Sequence, residues 1–173
     1  MNNQLKNFII SFYLRYSKKE RTNFQFSKDI KNANEFFLIL PENKKELIAS
    51  LSILNYLRSQ NKRLYLFLST SVSSSIPYDN FYYKVYYEID KTKLDFPKKH
   101  IKDELSKIKV DLLIDLNIQE NLFAMLCANL VKAKSKIGFS KKFADKIYNI
   151  QFKINQTNSK ISYENLLNFI KQI

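Results

Sequence analysis

The sequence predicts an α/β domain built on a mainly parallel sheet with helices on both faces. Three observations point to it. Short, nearly continuous apolar runs at residues 35–40 (EFFLIL) and 110–116 (VDLLIDL) have the pattern of strands covered on both sides. Such runs alternate with segments whose apolar residues fall at helical spacing. The 173 residues, 45% of them apolar and 26% charged, suit one core, and a single glycine with three prolines leaves little that reads as linker.

The elements follow in order. Residues 1–20 read as a basic amphipathic helix, with Leu5, Phe8, Ile9, Phe12 and Tyr16 on one stripe and Lys6, Arg15, Lys18 and Lys19 elsewhere. Such a helix suits an anionic membrane surface, or packing of its stripe on the domain or a partner. Residues 35–173 form the domain itself. Its first strand, 35–40, is stopped by Pro41, and Leu47, Ile48, Leu51, Leu54 and Leu57 mark a helix over 43–60. Residues 63–68 (RLYLFL) are the second strand, followed by a serine-rich connection, and 82–89 (YYKVYYEI) are the third. Residues 97–108 read as a polar helix with Pro97 in its first turn. The fourth strand, 110–116, leads to a helix over 119–131, a short fifth strand at 136–139 and a sixth at 147–154. A closing helix starts near Ser162 as N-cap, with Tyr163, Leu166, Leu167 and Ile170 on one face.

Right-handed crossovers favour the strand order 3-2-1-4-5, with room for the sixth strand. The first and fourth strands are then neighbours, and a crevice opens at their carboxyl ends, between residues 41–46 and 117–120.

Charge and motifs narrow the chemistry. The formal net charge is +13, which suits anionic partners. The cations are nearly all lysine, however, with arginine only at Arg15, Arg21, Arg58 and Arg63, and bidentate reading of phosphate and guanine leans on the guanidinium. Tyr82, Tyr83, Tyr86 and Tyr87 are placed to stack bases or simply to pack along a strand, and the glycine-containing signature of RNA-recognition sheets is missing. A basic nucleic-acid-binding domain is therefore a subsidiary expectation.

The loop PENKKE after the first strand has no glycine, which excludes the close backbone approach of dinucleotide and triphosphate loops. One histidine, His100, in a charged run, and one cysteine, Cys127, on an apolar helical face, argue against a zinc site and an internal disulfide. No metal or cofactor is expected. No apolar run approaches the ~20 residues of a membrane span, and no signal-peptide core is expected at the N-terminus.

Asp111 and Asp115 share one face of the fourth strand, Asp111 at its entrance and Asp115 near its carboxyl end, where it reads as a structural carboxylate capping neighbouring backbone amides or as the candidate to orient a hydroxyl. Lys132, Lys134, Lys136, Lys141, Lys142 and Lys146 surround Gly138. Ser140, Lys141 and Lys142 follow the fifth strand at the crevice edge, as a phosphate site or a solvated basic rim.

Three segments carry a family likeness: FFLILPENKKELIASLSILNYLRSQ, VDLLIDL and NLFAMLCANLVKAKSKIGFS, together most of residues 35–140. They resemble the first strand, loop and helix, the fourth strand, and the following helix with its isoleucine-glycine ending in the N-terminal lobe of glycosyltransferase family 9, the heptosyltransferases of lipopolysaccharide assembly. The second and third strands match by order only.

The resemblance implies a Rossmann-like, three-layer lobe in a bacterial cytoplasmic setting, peripheral at the inner membrane. In that family the loop carries a glycine and then an aspartate acting as base on the acceptor hydroxyl; here Lys45 and Glu46 stand there. Glu46 keeps a carboxylate and is the candidate base, with Asp115 positioning the acceptor and Asn43, Lys45, Asn117, Ser140, Lys141 and Lys142 as ligand contacts.

The family's second lobe, which holds the donor nucleotide, has no counterpart here. The expected role is therefore a single-lobe relative in surface-glycan assembly, complete with its closing helix and not catalytic alone. It would be a partner subunit or a sugar or nucleotide binder, meeting a nucleotide-sugar or glycolipid acceptor and a second subunit that supplies the missing lobe. A weaker likeness, to small bacterial proteins with a basic N-terminal helix and an FDLLI-like strand, implies instead an envelope-associated interaction module.

Overall fold

The computed structural model describes residues 3–16, 32–76, 81–155 and 158–172; Lys18 and Lys19 of the predicted basic helix lie outside them. The helices are α1 (Asn3–Tyr16), α2 (Lys44–Ser59), α3 (Thr70–Ser73), α4 (Lys99–Leu105), α5 (Leu122–Leu130) and α6 (Ser159–Lys171). The strands are β1 (Glu35–Ile39), β2 (Arg63–Ser69), β3 (Tyr82–Tyr86), β4 (Lys109–Asp115), β5 (Lys132–Phe139) and β6 (Ile150–Phe152). The six described strands form one sheet in the order β3-β2-β1-β4-β5-β6, and every neighbouring pair is parallel. This is the Rossmann-like arrangement expected, with the sixth strand present. β1 lies between β2 and β4, with Phe37 opposite Tyr65 on one side and Leu113 on the other.

Alternation along the strands divides the interior into two cores. Phe36 and Leu38 of β1, with Leu112 and Ile114 of β4, pack under α2 and α6, where Leu47, Ile53, Tyr163 and Leu166 are buried. Phe37 and Ile39, with Phe67 and Leu113, pack under α4 and α5. Here α5 is unusual. Its sequence LFAMLCANL has no charged residue, and the six consecutive residues Phe123 to Ala128 are all buried. A helix apolar all round needs cover on the side away from the sheet as well.

That cover involves α1. Ile10 and Leu14 are buried in the same core as α5, and the Tyr13 hydroxyl is pushed above its usual pKa by burial and by the nearby Cys127. The predicted stripe is not the face that packs: Leu5, Phe8 and Phe12 point to solvent, at 52%, 67% and 55% exposure. α1 carries apolar side chains on two sides, and periodicity alone does not say which side a neighbour takes. Ile10→Ala is expected to lower unfolding free energy by about 2 kcal/mol, read in a urea melt, because the cavity would open against α5.

Other boundaries moved for local reasons. Asn158, not Ser162, caps α6 by accepting from the Lys160 N–H at 2.9 Å, while Ser162 is buried inside the helix and its Oγ accepts from the Asn155 N–H at 2.8 Å. β3 ends at Tyr86 because Glu88–Asp90 turns as a 3-10 helix, whose Asp90 carboxylate accepts from the Tyr87 N–H at 2.9 Å. Pro97 lies outside α4, bridged antiparallel to Lys91, so the chain 91–97 closes as a loop. β5 starts at Lys132 instead of residue 136, since Lys109 and Lys132 already pair across the parallel ladder. β6 is confined to Ile150–Phe152, because the N–H groups of Ile147 and Tyr148 are bonded to the Ala144 carbonyl. α5 begins only after Asn121, which caps it.

Candidate functional site at the carboxyl edge of the sheet

After β1 the chain turns to one face of the sheet and after β4 to the other, so the two exits part and leave a crevice. A cavity of about 440 Å³ occupies it, lined by Glu42, Asn43 and Glu46 after β1 and by Asn117, Gln119 and Glu120 after β4. A third side comes from Lys91 and Asp95 beyond β3, and Phe123 also contributes. Both helix starts facing this space are capped from within. Asn43 Oδ1 accepts from the N–H groups of Lys45 and Glu46 at 2.9 and 3.2 Å, and Asn121 Oδ1 accepts from the Ala124 N–H at 3.0 Å.

Glu46 sits in the first turn of α2 and is buried. Burial pushes its carboxyl above the usual glutamate value, and the Ile118 backbone and the Lys141 ammonium offset only part of that. Glu42 has the opposite balance. Burial opposes its charge, but the Tyr86 hydroxyl, donating at 2.6 Å, and the Lys91 ammonium, at 3.2 Å, hold its carboxyl below the usual value. The same ammonium lies 5.3 Å from the ring centroids of both Tyr86 and Phe123, and it also bonds Glu88 at 2.8 Å. One wall is thus preorganised by a buried aromatic pair whose centroids are 4.9 Å apart.

Beneath the β4 exit lies a closed polar cluster. Asp115 is fully buried. One of its oxygens accepts from the Asn117 N–H at 3.0 Å and the Asn117 Nδ2 at 2.7 Å; the other accepts from Lys141 Nζ at 2.8 Å and from the Tyr148 hydroxyl. Lys141, with a side chain only 5% exposed, also donates to the Asn117 carbonyl at 2.6 Å. Burial and Asp115 together push the Tyr148 hydroxyl well above its usual pKa.

Gly138 explains how Tyr148 gets there. A Cβ at this position would meet the Tyr148 ring at 2.7 Å, so the ring lies directly on the backbone of β5. Its φ is not positive, so close approach, not backbone freedom, is the reason for glycine.

No family model, curated protein or solved structure matches this chain. The likeness to glycosyltransferase family 9 therefore rests on the residues quoted for it.

The sequence-predicted residues separate into three groups. Asn43, Glu46 and Asn117 line the cavity. Asp115 and Lys141 do not line it; they are bound to each other beneath it. Lys45 and Ser140 are exposed, the Ser140 N–H donating to the Phe152 carbonyl at 2.8 Å, and Lys142 Nζ bonds Asn7 Oδ1 at 2.7 Å, toward α1.

The basic cluster around Gly138 also divides. Lys134 pairs with Asp111 at 2.7 Å at the amino end of the sheet, where Asp111 also accepts from the N–H groups of Asn34 and Glu35. Lys136 Nζ bonds the Ala128 and Asn129 carbonyls, at the C-terminal end of α5, where a cation is favoured.

Sequence reasoning did not bring Lys91, Phe123 or Tyr148 to the crevice, and it read Tyr86 only as a base-stacking or strand-packing residue. Tyr86 carried a usable signal, lying in the carboxyl half of the predicted strand 82–89, which runs toward the same edge. Lys91 arrives on an irregular segment that no local pattern announces, and Tyr148 lies just before β6, in residues whose alternation reads as strand.

Proposed function

We propose that the domain is a binding module for a neutral polyhydroxylated ligand, a sugar or glycoside, held in the carboxyl-edge crevice. In this reading it is a single-lobe relative of glycosyltransferase family 9, serving surface-glycan assembly as a binding subunit. The observation that carries it is the sign of the crevice. In a chain of net charge +13, the described residues lining it include the acids Glu42, Glu46, Asp95 and Glu120 against the one base Lys91.

Carboxylates beside the amides of Asn43, Asn117, Gln119 and Asn121 offer a dense set of acceptors and donors for hydroxyl groups. The same carboxylates repel a diphosphate, and the capped helix starts have part of their N–H groups already engaged. A nucleotide-sugar donor would then belong to another chain. A second reading, in which Glu46 is the base of a transferase completed by such a chain, draws on its raised pKa, the usual device for a carboxylate that takes a proton.

Glu46→Gln tests both. Because burial raises the pKa of Glu46 in the folded state, its contribution to stability is present below about 4.5 and is lost as pH rises through the folded value. The variant is therefore expected to be more stable than the parent at pH 7, by a margin that shrinks toward pH 4, while sugar binding measured by calorimetry weakens about tenfold or more. Equal sugar affinity in parent and variant, or no affinity for any panel of monosaccharides and glycosides, would remove the binding reading. Sugar transfer by the lone chain from a nucleotide-sugar donor, abolished in Glu46→Gln, would replace it with the enzymatic one.

A further inference from the structure

Helix α1 has two apolar faces with different fates. Ile10 and Leu14 are buried in the core with α5, whereas Leu5, Phe8 and Phe12, at the i, i+3, i+7 positions of one stripe, are exposed. Phe8 and Phe12 stack on each other with centroids 6.4 Å apart. We propose that this outer face docks the domain on an anionic lipid surface, with the three side chains entering the headgroup boundary and lysines contacting the lipid charge.

Charge around the stripe names the occupant. Residues 1–20 contain Lys6, Arg15, Lys18 and Lys19 against the one acid Glu20. In the fold, two further basic segments flank α1. Lys102 Nζ lies 5.5 Å from the Tyr13 ring centroid, near the end of the helix. Lys142 Nζ is held by Asn7 at 2.7 Å, and Lys142 and Lys146 both lie over the Phe143 ring. Apolar insertion and lysine attraction add at such a surface. A second copy of the chain is a poorer occupant, because two molecules of net charge +13 would bring the same basic rim together. Among the described residues no helix is long and apolar enough to cross a membrane, so the contact is one of lying on the surface.

This proposal is independent of the crevice and uses the full chain, since truncating α1 would uncover α5. Co-sedimentation with phosphatidylcholine vesicles containing phosphatidylserine should retain the parent protein, and phosphatidylcholine vesicles alone should retain about tenfold less. A variant carrying Leu5→Ser, Phe8→Ser and Phe12→Ser should lose about tenfold or more of the anionic-vesicle binding while its far-ultraviolet circular dichroism stays that of the folded parent.

A reporter covers the case in which that variant misfolds. The chain has no tryptophan, so Phe8→Trp provides a single emission signal that should shift to the blue with anionic vesicles. Failure of the parent to bind anionic vesicles, equal binding by the triple variant, or an unshifted Phe8→Trp spectrum would each overturn the proposal. So would a parent dimer in sedimentation that the triple variant dissolves, because it would assign the face to a second copy.

Discussion

Asp115→Ala should lower the unfolding free energy by about 3–5 kcal/mol, the largest loss of any single polar substitution in this domain. The reason is what it leaves behind. Lys141, with only 5% of its side chain exposed, would keep a charge facing the vacated space, and the Asn117 amide and Tyr148 hydroxyl would lose their acceptor as well. Thermal melts should show the midpoint falling by about 10 °C for a chain of this size.

Lys141→Met should cost less. Asp115 would still accept from the Asn117 N–H, the Asn117 Nδ2 and the Tyr148 hydroxyl, whereas in the first variant the ammonium keeps, among the described residues, the Asn117 carbonyl as its one hydrogen-bond partner. Combining the two should cost much less than their sum, because a buried pair replaced as a pair leaves no orphaned charge. Additive losses in that double-mutant cycle would show that Asp115 and Lys141 act separately.

Gly138→Ala is expected to cost about 3 kcal/mol, unusually high for adding one methyl group. The added carbon would fall 2.7 Å from two atoms of the Tyr148 ring, and that ring is fully buried and tied at its hydroxyl to Asp115, so it has little room to yield. The prediction has a built-in control. Tyr148→Ala removes the ring and destabilises the parent, but in that background Gly138→Ala should become nearly neutral, since Gly138 keeps ordinary β-strand geometry in the pairing with Gln151. A loss of equal size in both backgrounds, measured in urea, would mean that the ring is not what excludes a side chain here.

Asp115 and Gly138 also show how far the sequence could be read. The apolar runs, their alternation with helical spacing and the rules for crossovers were enough to place β1 beside β4 and the crevice at their ends. Glu46, Asn43 and Asn117 were legible because they fall in the two loops that this topology brings together.

What was hidden depends on long-range geometry. A structural Asp115 bonded to a neighbouring amide is legible at a strand end, and the Asn117 N–H is that bond, but the donors from residues 141 and 148 come from beyond the next strand. The lone glycine was conspicuous in the sequence, yet only its contact with Tyr148 gives the reason for it. The lysine-rich run looked like one patch and divides between the two ends of β5, because a strand of eight residues carries its first and last side chains far apart.

The placement of α1 against the core of α5 also bears on how the protein is made. Synthesis delivers residues 3–16 ahead of their apolar partners at residues 123–128, which follow more than a hundred positions later. Over that interval residues 3–16 have both apolar sides uncovered, a condition in which chaperones or nascent-chain contact with a bilayer would find them. Seating of α1 therefore waits on α5, and its inner face stays open until that later helix has been made.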